Sequence, residues 1–107
     1  MKKLDFAVTG PEPVRTLLEY AGAAAGRVTV GTARFRPHER LPAEGTGSHE
    51  GDEISYIVSG SLTGESGGEP FRVGAGDLTL IPAGEEHWAV AGPEPVEIIF
   101  VMVGPAG

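Results

Sequence analysis

Short runs in which apolar and polar residues alternate, separated by turns, make up most of the chain. In 27–36 (RVTVGTARFR), Val28 and Val30 fall on one face and Ala33 and Phe35 on the other, which is the period of a β-strand. Turn sequences such as SG, SGGEP, GAG, PAGEE and GPEP separate the later runs, and together these features predict an all-β domain of sandwich or barrel type. The further predicted strands are 53–58, 61–65, 71–73, 77–81, 87–91 and 96–103.

The last of these runs is apolar on both faces. VEIIFVMV at 96–103 has Glu97 as its single charged residue. A strand of this kind is typical of one covered on both sides. We therefore expect it in the middle of a sheet or against a second subunit.

The segment 13–26 fits two structures. Pro13 stands where helices often begin, and the apolar residues that follow have helical spacing. Gly22 and Gly26 interrupt the segment, so an edge strand followed by a loop is favoured equally. The apolar residues at helical spacing are Val14, Leu17, Leu18 and Ala21.

Composition bounds the domain count and the partners. The length of 107 residues predicts a single domain over 1–107. The net charge is -7, with 15 acidic and 8 basic residues, so the chain would be repelled by nucleic-acid phosphates and by anionic membranes. We therefore expect neither partner.

Cysteine is absent, which removes disulfides and thiolate metal sites and leaves nitrogen and oxygen as the metal ligands available. The start, MKKLDFAVTGPEP, reaches Asp5 before any apolar stretch of signal-peptide length. No run is long enough to span a bilayer. The expected location is the cytoplasm.

The stretch SHEGDEISYIVSG at 48–60 places a histidine and a glutamate around a glycine turn where a strand begins. In a straight strand His49 and Glu53 would share a face but lie roughly 13 Å apart, too far to hold one ion. A tight turn at 50–52 would bring both toward one point. Glu53 would then open a strand because it faces a cavity, with Ser55 on the same face.

His87 also stands at the mouth of a strand, after the rigid turn PAGEE, and can approach the same point from a neighbouring strand. Two imidazoles and one carboxylate suit Fe(II), Mn(II), Zn(II), Ni(II) or Cu(II), with positions left for water or substrate. The predicted metal ligands are therefore His49, Glu53 and His87. His38, Glu44 and Glu50 are secondary candidates within the unpatterned loop 37–51.

Two stretches of the chain resemble the two motifs of the cupin superfamily. His49, three residues, Glu53, six residues and Gly60 match the second half of the first motif. The second motif is matched at the right spacings by Gly76, Pro82, Gly84 and His87. This resemblance implies a double-stranded β-helix, or jelly-roll barrel, of two antiparallel sheets.

The match departs from the family pattern at three positions. Gly47 stands where the family has its first histidine ligand, Leu41 where it has an early glycine, and Ala91 where it has a closing asparagine. The four-ligand site that the resemblance implies is therefore reduced to three ligands.

The resemblance implies a metal-dependent enzyme of isomerase, cyclase, lyase or dioxygenase type, acting on a small oxygen-rich molecule. The alternative is a non-catalytic ligand-binding or sensing module with a degenerate metal site. For either function we expect a homodimer, because the apolar strand 96–103 and Trp88 offer surface that so small a domain leaves uncovered.

Overall fold

The described part of the chain folds into nine β-strands. The computed structural model describes residue 1, residues 14–23 and residues 26–105, with the side chains of 21–23 excepted, and this part of the chain contains no helix. It therefore holds no helix of the length and hydrophobicity that a membrane crossing requires. The strands are β1 (Val14–Ala23), β2 (Gly26–Phe35), β3 (Arg40–Leu41), β4 (Asp52–Ser59), β5 (Ser61–Ser66), β6 (Glu69–Gly74), β7 (Leu78–Ile81), β8 (His87–Ala91) and β9 (Val96–Gly104).

The strands form two antiparallel sheets. One has five strands in the order β1-β2-β9-β4-β7, and the other has four in the order β3-β8-β5-β6. Consecutive strands alternate between the sheets along much of the chain, which is the arrangement of a double-stranded β-helix. The all-β fold of two antiparallel sheets expected from the sequence is confirmed.

Residues 14–23 are the edge strand of the five-stranded sheet, paired with β2, so the helical interpretation of 13–26 was wrong for this part of the segment. Residues 13, 24 and 25 lie outside the described part of the chain. The helical spacing has a local cause: the register shifts between Thr16 and Leu18. A β-bulge at this point inserts one extra residue and changes the phase of the alternation.

The apolar strand β9 lies between β2 and β4 in the five-stranded sheet, which is the central position that its composition favoured. Its inward residues join the core, whose buried members include Ile57 at 1% exposure and Val96 at 0%. Among the described residues, the buried members of the core cluster are Phe35, Ile57, Leu62, Ala91, Val96 and Ile98.

The link from β4 to β5 depends on a glycine. Gly60 has a φ of 81°, and a Cβ at this position would come within 2.5 Å of the Pro95 carbonyl oxygen. A residue with a side chain would therefore be strained and would also clash with the backbone. The tight turn lets the chain cross from one sheet to the other next to the core.

Candidate metal centre

The loop 37–51 is held against β8 by backbone hydrogen bonds. Gly47 and His87 form an isolated antiparallel bridge, with both N–H groups donating to the partner's carbonyl, at 3.0 and 2.9 Å. Gly84 N–H donates to the His49 carbonyl at 2.8 Å. The turn before β8 and the loop before β4 are thus fastened together, and this brings His49 next to His87.

His49 and Glu53 come together across a bend at 50–51. The turn predicted at 50–52 is one residue shorter in the structure, because Asp52 already belongs to β4. His49 Nε2 lies 3.5 Å from Glu53 Oε2, and the two side chains are 20% and 21% exposed. The other carboxylate oxygen of Glu53 lies 3.4 Å from the Ser55 hydroxyl. Glu53, the second residue of β4, therefore has its carboxylate on the inner side of the barrel.

Each imidazole is oriented by a backbone carbonyl. His49 Nδ1 lies 2.9 Å from the Gly51 carbonyl oxygen, and His87 Nδ1 lies 3.0 Å from that of Glu85. A carbonyl oxygen can only accept a hydrogen bond, so each Nδ1 carries the proton. In the neutral rings Nε2 then presents a lone pair, and this arrangement is typical of histidines that bind metal.

His49 Nε2 is buried and has no hydrogen-bond partner among the described residues. Its lone pair faces the Glu53 carboxylate, so two electron-rich groups meet at 3.5 Å. Leaving a buried polar atom unpaired costs roughly 1–3 kcal/mol. A proton or a metal cation between the two groups removes this cost, and the donor set fits either one.

The two histidine rings have their centroids 5.0 Å apart, with 56° between the ring planes. Two imidazoles that share one ion through Nε2 at about 2.0–2.1 Å would have centroids roughly 4.5–5.2 Å apart. The ring separation therefore fits a shared ion. Within the described residues, however, no three His, Asp or Glu side chains are already gathered into a set able to hold a metal, so Glu53 and the two rings would have to close further on binding.

Gly47 leaves space for a fourth ligand. Because Gly47 stands directly opposite His87 in the bridge, a side chain at either position would project to the same side. A Cβ at Gly47 would meet only Pro42, at 3.8 and 3.9 Å, which is ordinary van der Waals contact. A side chain at position 47 would therefore have room on the same side of the sheet as His87.

The secondary candidates lie outside this cluster. His38 is exposed in the turn after β2, with a φ of 62°, and its N–H donates to the Gly92 carbonyl. Glu44 and Glu50 are exposed in the loop before β4. Exposed carboxylates in an acidic chain are the ordinary case.

A cavity of about 520 Å³ lies between the sheets and is partly open to solvent, with Glu53 and His87 in its wall. Ser55 and Ile57, which share the inward face of β4 with Glu53, also line it. Most of the wall is apolar, and no Lys or Arg is found among its described residues. Its other large apolar side chains are Phe35, Leu41, Leu62, Phe71, Leu80, Ile81, Ile98, Phe100 and Met102.

Ser66 and Glu85 are polar residues of the cavity that were not singled out from the sequence, as is Thr79. Ser66 Oγ donates to Glu85 Oε2 at 2.6 Å, and both side chains line the cavity together with His87. The Glu85 carboxylate also packs on Gly67, where an added Cβ would come within 3.1 Å of it. The available signal was Glu85's position two residues before His87, in the turn that presents the imidazole.

The fold and the site together define a small double-stranded β-helix with a histidine and carboxylate cluster beside a cavity between its two sheets. A family model described as the cupin domain matches residues 27–102. The chain belongs to the cupin family. A comparison with curated proteins gave no match.

Solved structures share the fold at low sequence identity. An uncharacterized conserved protein with a double-stranded β-helix domain from Klebsiella pneumoniae is 25% identical, with a TM-score of 0.71 over 94% of this chain and 85% of its own. An RmlC-like cupin from Methanocaldococcus jannaschii is 15% identical, with a TM-score of 0.74 over 97% and 91%. KdgF from a Halomonas species is 23% identical, with a TM-score of 0.66 over 89% and 84%.

Proposed function

We propose that this cupin binds a divalent transition metal through His49, Glu53 and His87 and works as a metal-dependent enzyme on a small oxygen-bearing molecule. The observation that carries the proposal is the buried lone pair of His49 Nε2, which faces the Glu53 carboxylate at 3.5 Å with no hydrogen-bond partner in the described chain. Fe, Mn, Zn, Ni and Cu all accept such a nitrogen and oxygen set. The proposed location is the cytoplasm.

When bound, the metal supplies Lewis acidity that polarises a carbonyl or enol oxygen of the ligand. This chemistry would serve isomerases, cyclases and lyases, whereas a dioxygenase would need the redox chemistry of an ion such as iron. The chain's own residues position the molecule. The apolar walls of the cavity, with Phe71 and Phe100 among them, exclude water and hold the carbon skeleton.

Glu85 is the carboxylate we assign to proton transfer. It lines the cavity beside His87, and the Ser66 hydroxyl holds one of its oxygens at 2.6 Å. The carboxylate accepts a proton from the bound molecule on an oxygen and returns it at another atom of the same molecule. The backbone carbonyl of Glu85 also orients the His87 ring. The same residue therefore positions the imidazole and supplies the carboxylate for proton transfer.

The residues that line the cavity restrict which small molecules can bind there. Its polar groups, including Glu53, Ser55 and His87, occupy part of the wall, whereas most other lining residues are apolar. We infer a compact ligand that carries its oxygens at one end and an apolar body at the other. Since no lining residue that the structure describes is cationic, a second anionic group on that body would be buried without a partner.

The test is metal analysis of protein purified without chelator, followed by thermal melts with each of the five metals. The proposal predicts close to one metal per chain and a higher melting temperature on adding the preferred ion, because a ligand that binds only the folded state stabilises it. Protein that contains no stoichiometric metal and melts at the same temperature with every ion would refute it.

A second function is favoured by Gly47, which stands where the cupin family carries a histidine. The barrel would then be a non-catalytic ligand-binding or sensing module, and a proton between His49 and Glu53 would satisfy the pair. This alternative predicts that His49→Ala and His87→Ala change metal content little, while ligand affinity depends on the apolar walls. The enzyme proposal predicts that both variants lose the metal.

A further inference from the structure

Met102 on β9 lies directly opposite Glu53 on β4, and both residues line the cavity between the sheets. Side chains that stand opposite each other in an antiparallel pair project from the same face, with Cβ atoms roughly 4.5–5.5 Å apart. The sulfur of methionine and the carboxyl carbon of glutamate both occupy the δ position of their side chains. The Met102 thioether can therefore reach as far into the cavity as the Glu53 carboxylate does.

Gly51 leaves room for the Met102 side chain next to His49. A Cβ added at Gly51 would lie 2.8 Å from Met102 Cγ, so Met102 occupies the space that a side chain at position 51 would fill. The carbonyl of the same glycine accepts the hydrogen bond from His49 Nδ1 at 2.9 Å. The methionine therefore extends over the residue that orients the imidazole.

Met102 lies outside the packed core. The inward residues of β9 alternate from Val96 through Ile98 and Phe100 to Met102, and the first three are 0%, 7% and 8% exposed. Met102 is half-buried, and within the described chain it is not a member of the core cluster that holds Val96 and Ile98. The thioether thus lies at the end of the row, beside Glu53.

Met102 brings the one sulfur atom to the candidate metal centre. The chain has no cysteine, and its other methionine, Met1, is fully exposed. Position 47, where the cupin family carries a further histidine, is a glycine. Around the centre, the described residues therefore offer two imidazole nitrogens, one carboxylate and one thioether.

From this arrangement we infer that Met102 is a ligand that makes the centre selective for copper. Thioether sulfur is a soft donor that selects Cu(I), whereas carboxylate oxygen suits harder ions and imidazole suits several. Met102 holds Cu(I) together with His49 and His87, and it supplies the further donor that Gly47 cannot. The inference rests on the proposed metal-binding function and names its ion.

The test compares Cu(I) and Zn²⁺ in the wild type and in Met102→Leu, a substitution that nearly conserves side-chain volume. Competition with a chromophoric Cu(I) chelator under anaerobic, reducing conditions measures the copper affinity, and isothermal titration measures the zinc affinity. We expect Met102→Leu to lower the Cu(I) affinity about tenfold or more and to leave the Zn²⁺ affinity within about twofold. Ile98→Leu, on the same face of β9, is the matched control and should change neither affinity.

X-ray absorption at the copper edge needs no variant to fold. The wild type loaded with Cu(I) should show a sulfur neighbour of the copper in addition to nitrogen neighbours, because Met102 is the sulfur donor of the cavity wall. A copper ion with nitrogen and oxygen neighbours alone would overturn the assignment.

Failure of this inference and failure of the proposed function have different signatures. If Met102→Leu binds Cu(I) as tightly as the wild type while His49→Ala loses it, Met102 is not a ligand and the metal site stands. Equal losses of Cu(I) and Zn²⁺ in Met102→Leu would likewise contradict a copper-selective role. A wild type that binds neither ion would overturn the proposed function itself, and this inference with it.

Discussion

On the inner face of β4 lie Glu53 and Ser55, whereas Ile54 and Tyr56 project from its outer face. In most half-exposed antiparallel strands this alternation runs the other way, with apolar residues inside and polar residues outside. The inversion costs stability in an isolated barrel, because a carboxylate is removed from water while two large apolar side chains remain in it.

The inner and outer faces of β4 also differ in how far the unusual residues extend. Further along the same strand Ile57 is 1% exposed and packs in the core, so β4 returns to the ordinary pattern away from the site. The polar inner residues cluster where His49 and His87 arrive. The apolar outer residues continue across neighbouring strands. Residues that break the usual pattern of apolar inside and polar outside are expected at functional sites. In β4 the pattern is broken on both faces of the strand.

The largest effect should come from removing both imidazoles of the inner face. We expect His49→Ala combined with His87→Ala to lower the affinity for Zn²⁺ or Ni²⁺ by more than about 100-fold, since only one carboxylate ligand remains. Isothermal titration measures the change. His38→Ala is the control, because His38 is exposed outside the cluster. Equal losses in the control and in the double variant would show that binding is not local to the inner face.

Matched truncations on the two faces of β4 compare how much a buried and an exposed side chain contribute to stability. Ile57→Ala should lower the free energy of unfolding by about 2–5 kcal/mol, because it removes a side chain that is 1% exposed and packed in the core. Ile54→Ala removes the same atoms from a side chain that is 45% exposed and should cost less than half as much. Urea denaturation at equal protein concentration gives both values. A larger loss for Ile54 would mean that most of the stability resides in the outer face.

A histidine introduced at position 47 tests whether the site can take a fourth ligand. Gly47→His should tighten metal binding by about tenfold or more, because the bridge to His87 sets the new side chain on the same side and Pro42 leaves room for it. Gly47→Ala is the matched control for the loss of glycine. If the histidine variant binds metal no better than the alanine variant, position 47 does not face the site.

The smallest effect is expected at the Ser66–Glu85 hydrogen bond. Ser66→Ala removes the donor to Glu85 Oε2 and should cost about 0.5–1.5 kcal/mol of folding free energy. Metal affinity should change by less than about twofold, because the His87 ring is held by the Glu85 carbonyl and not by its carboxylate. Titration and urea denaturation of one preparation measure both quantities. A metal affinity that falls with stability would place Glu85 within the ligand set.

Much of this fold could be predicted from the chain. The seven predicted strands are present, and β9 has the central position that its apolar faces indicated. These strands could be predicted because the alternation of apolar and polar residues and the turn residues are local sequence signals. The two-residue strand β3 lay in a loop without periodicity, and β1 was ambiguous because a bulge changed its phase.

The candidate site could be predicted from the sequence only in part. The turn geometry that brings His49 and Glu53 together could be inferred from Gly51 and the strand that follows. Glu85 and Ser66 are 19 residues apart, and their meeting depends on the pairing of β5 with β8, which no local pattern encodes. The orientation of each imidazole by a carbonyl depends equally on tertiary structure.

The most direct measurement of the central claim is an anomalous difference map from a crystal grown with Zn²⁺ or Mn²⁺. The account predicts one strong peak, within about 2.0–2.2 Å of His49 Nε2, His87 Nε2 and a Glu53 oxygen for zinc. A map with no peak at this position, or with the ion bound only by surface carboxylates, would contradict it.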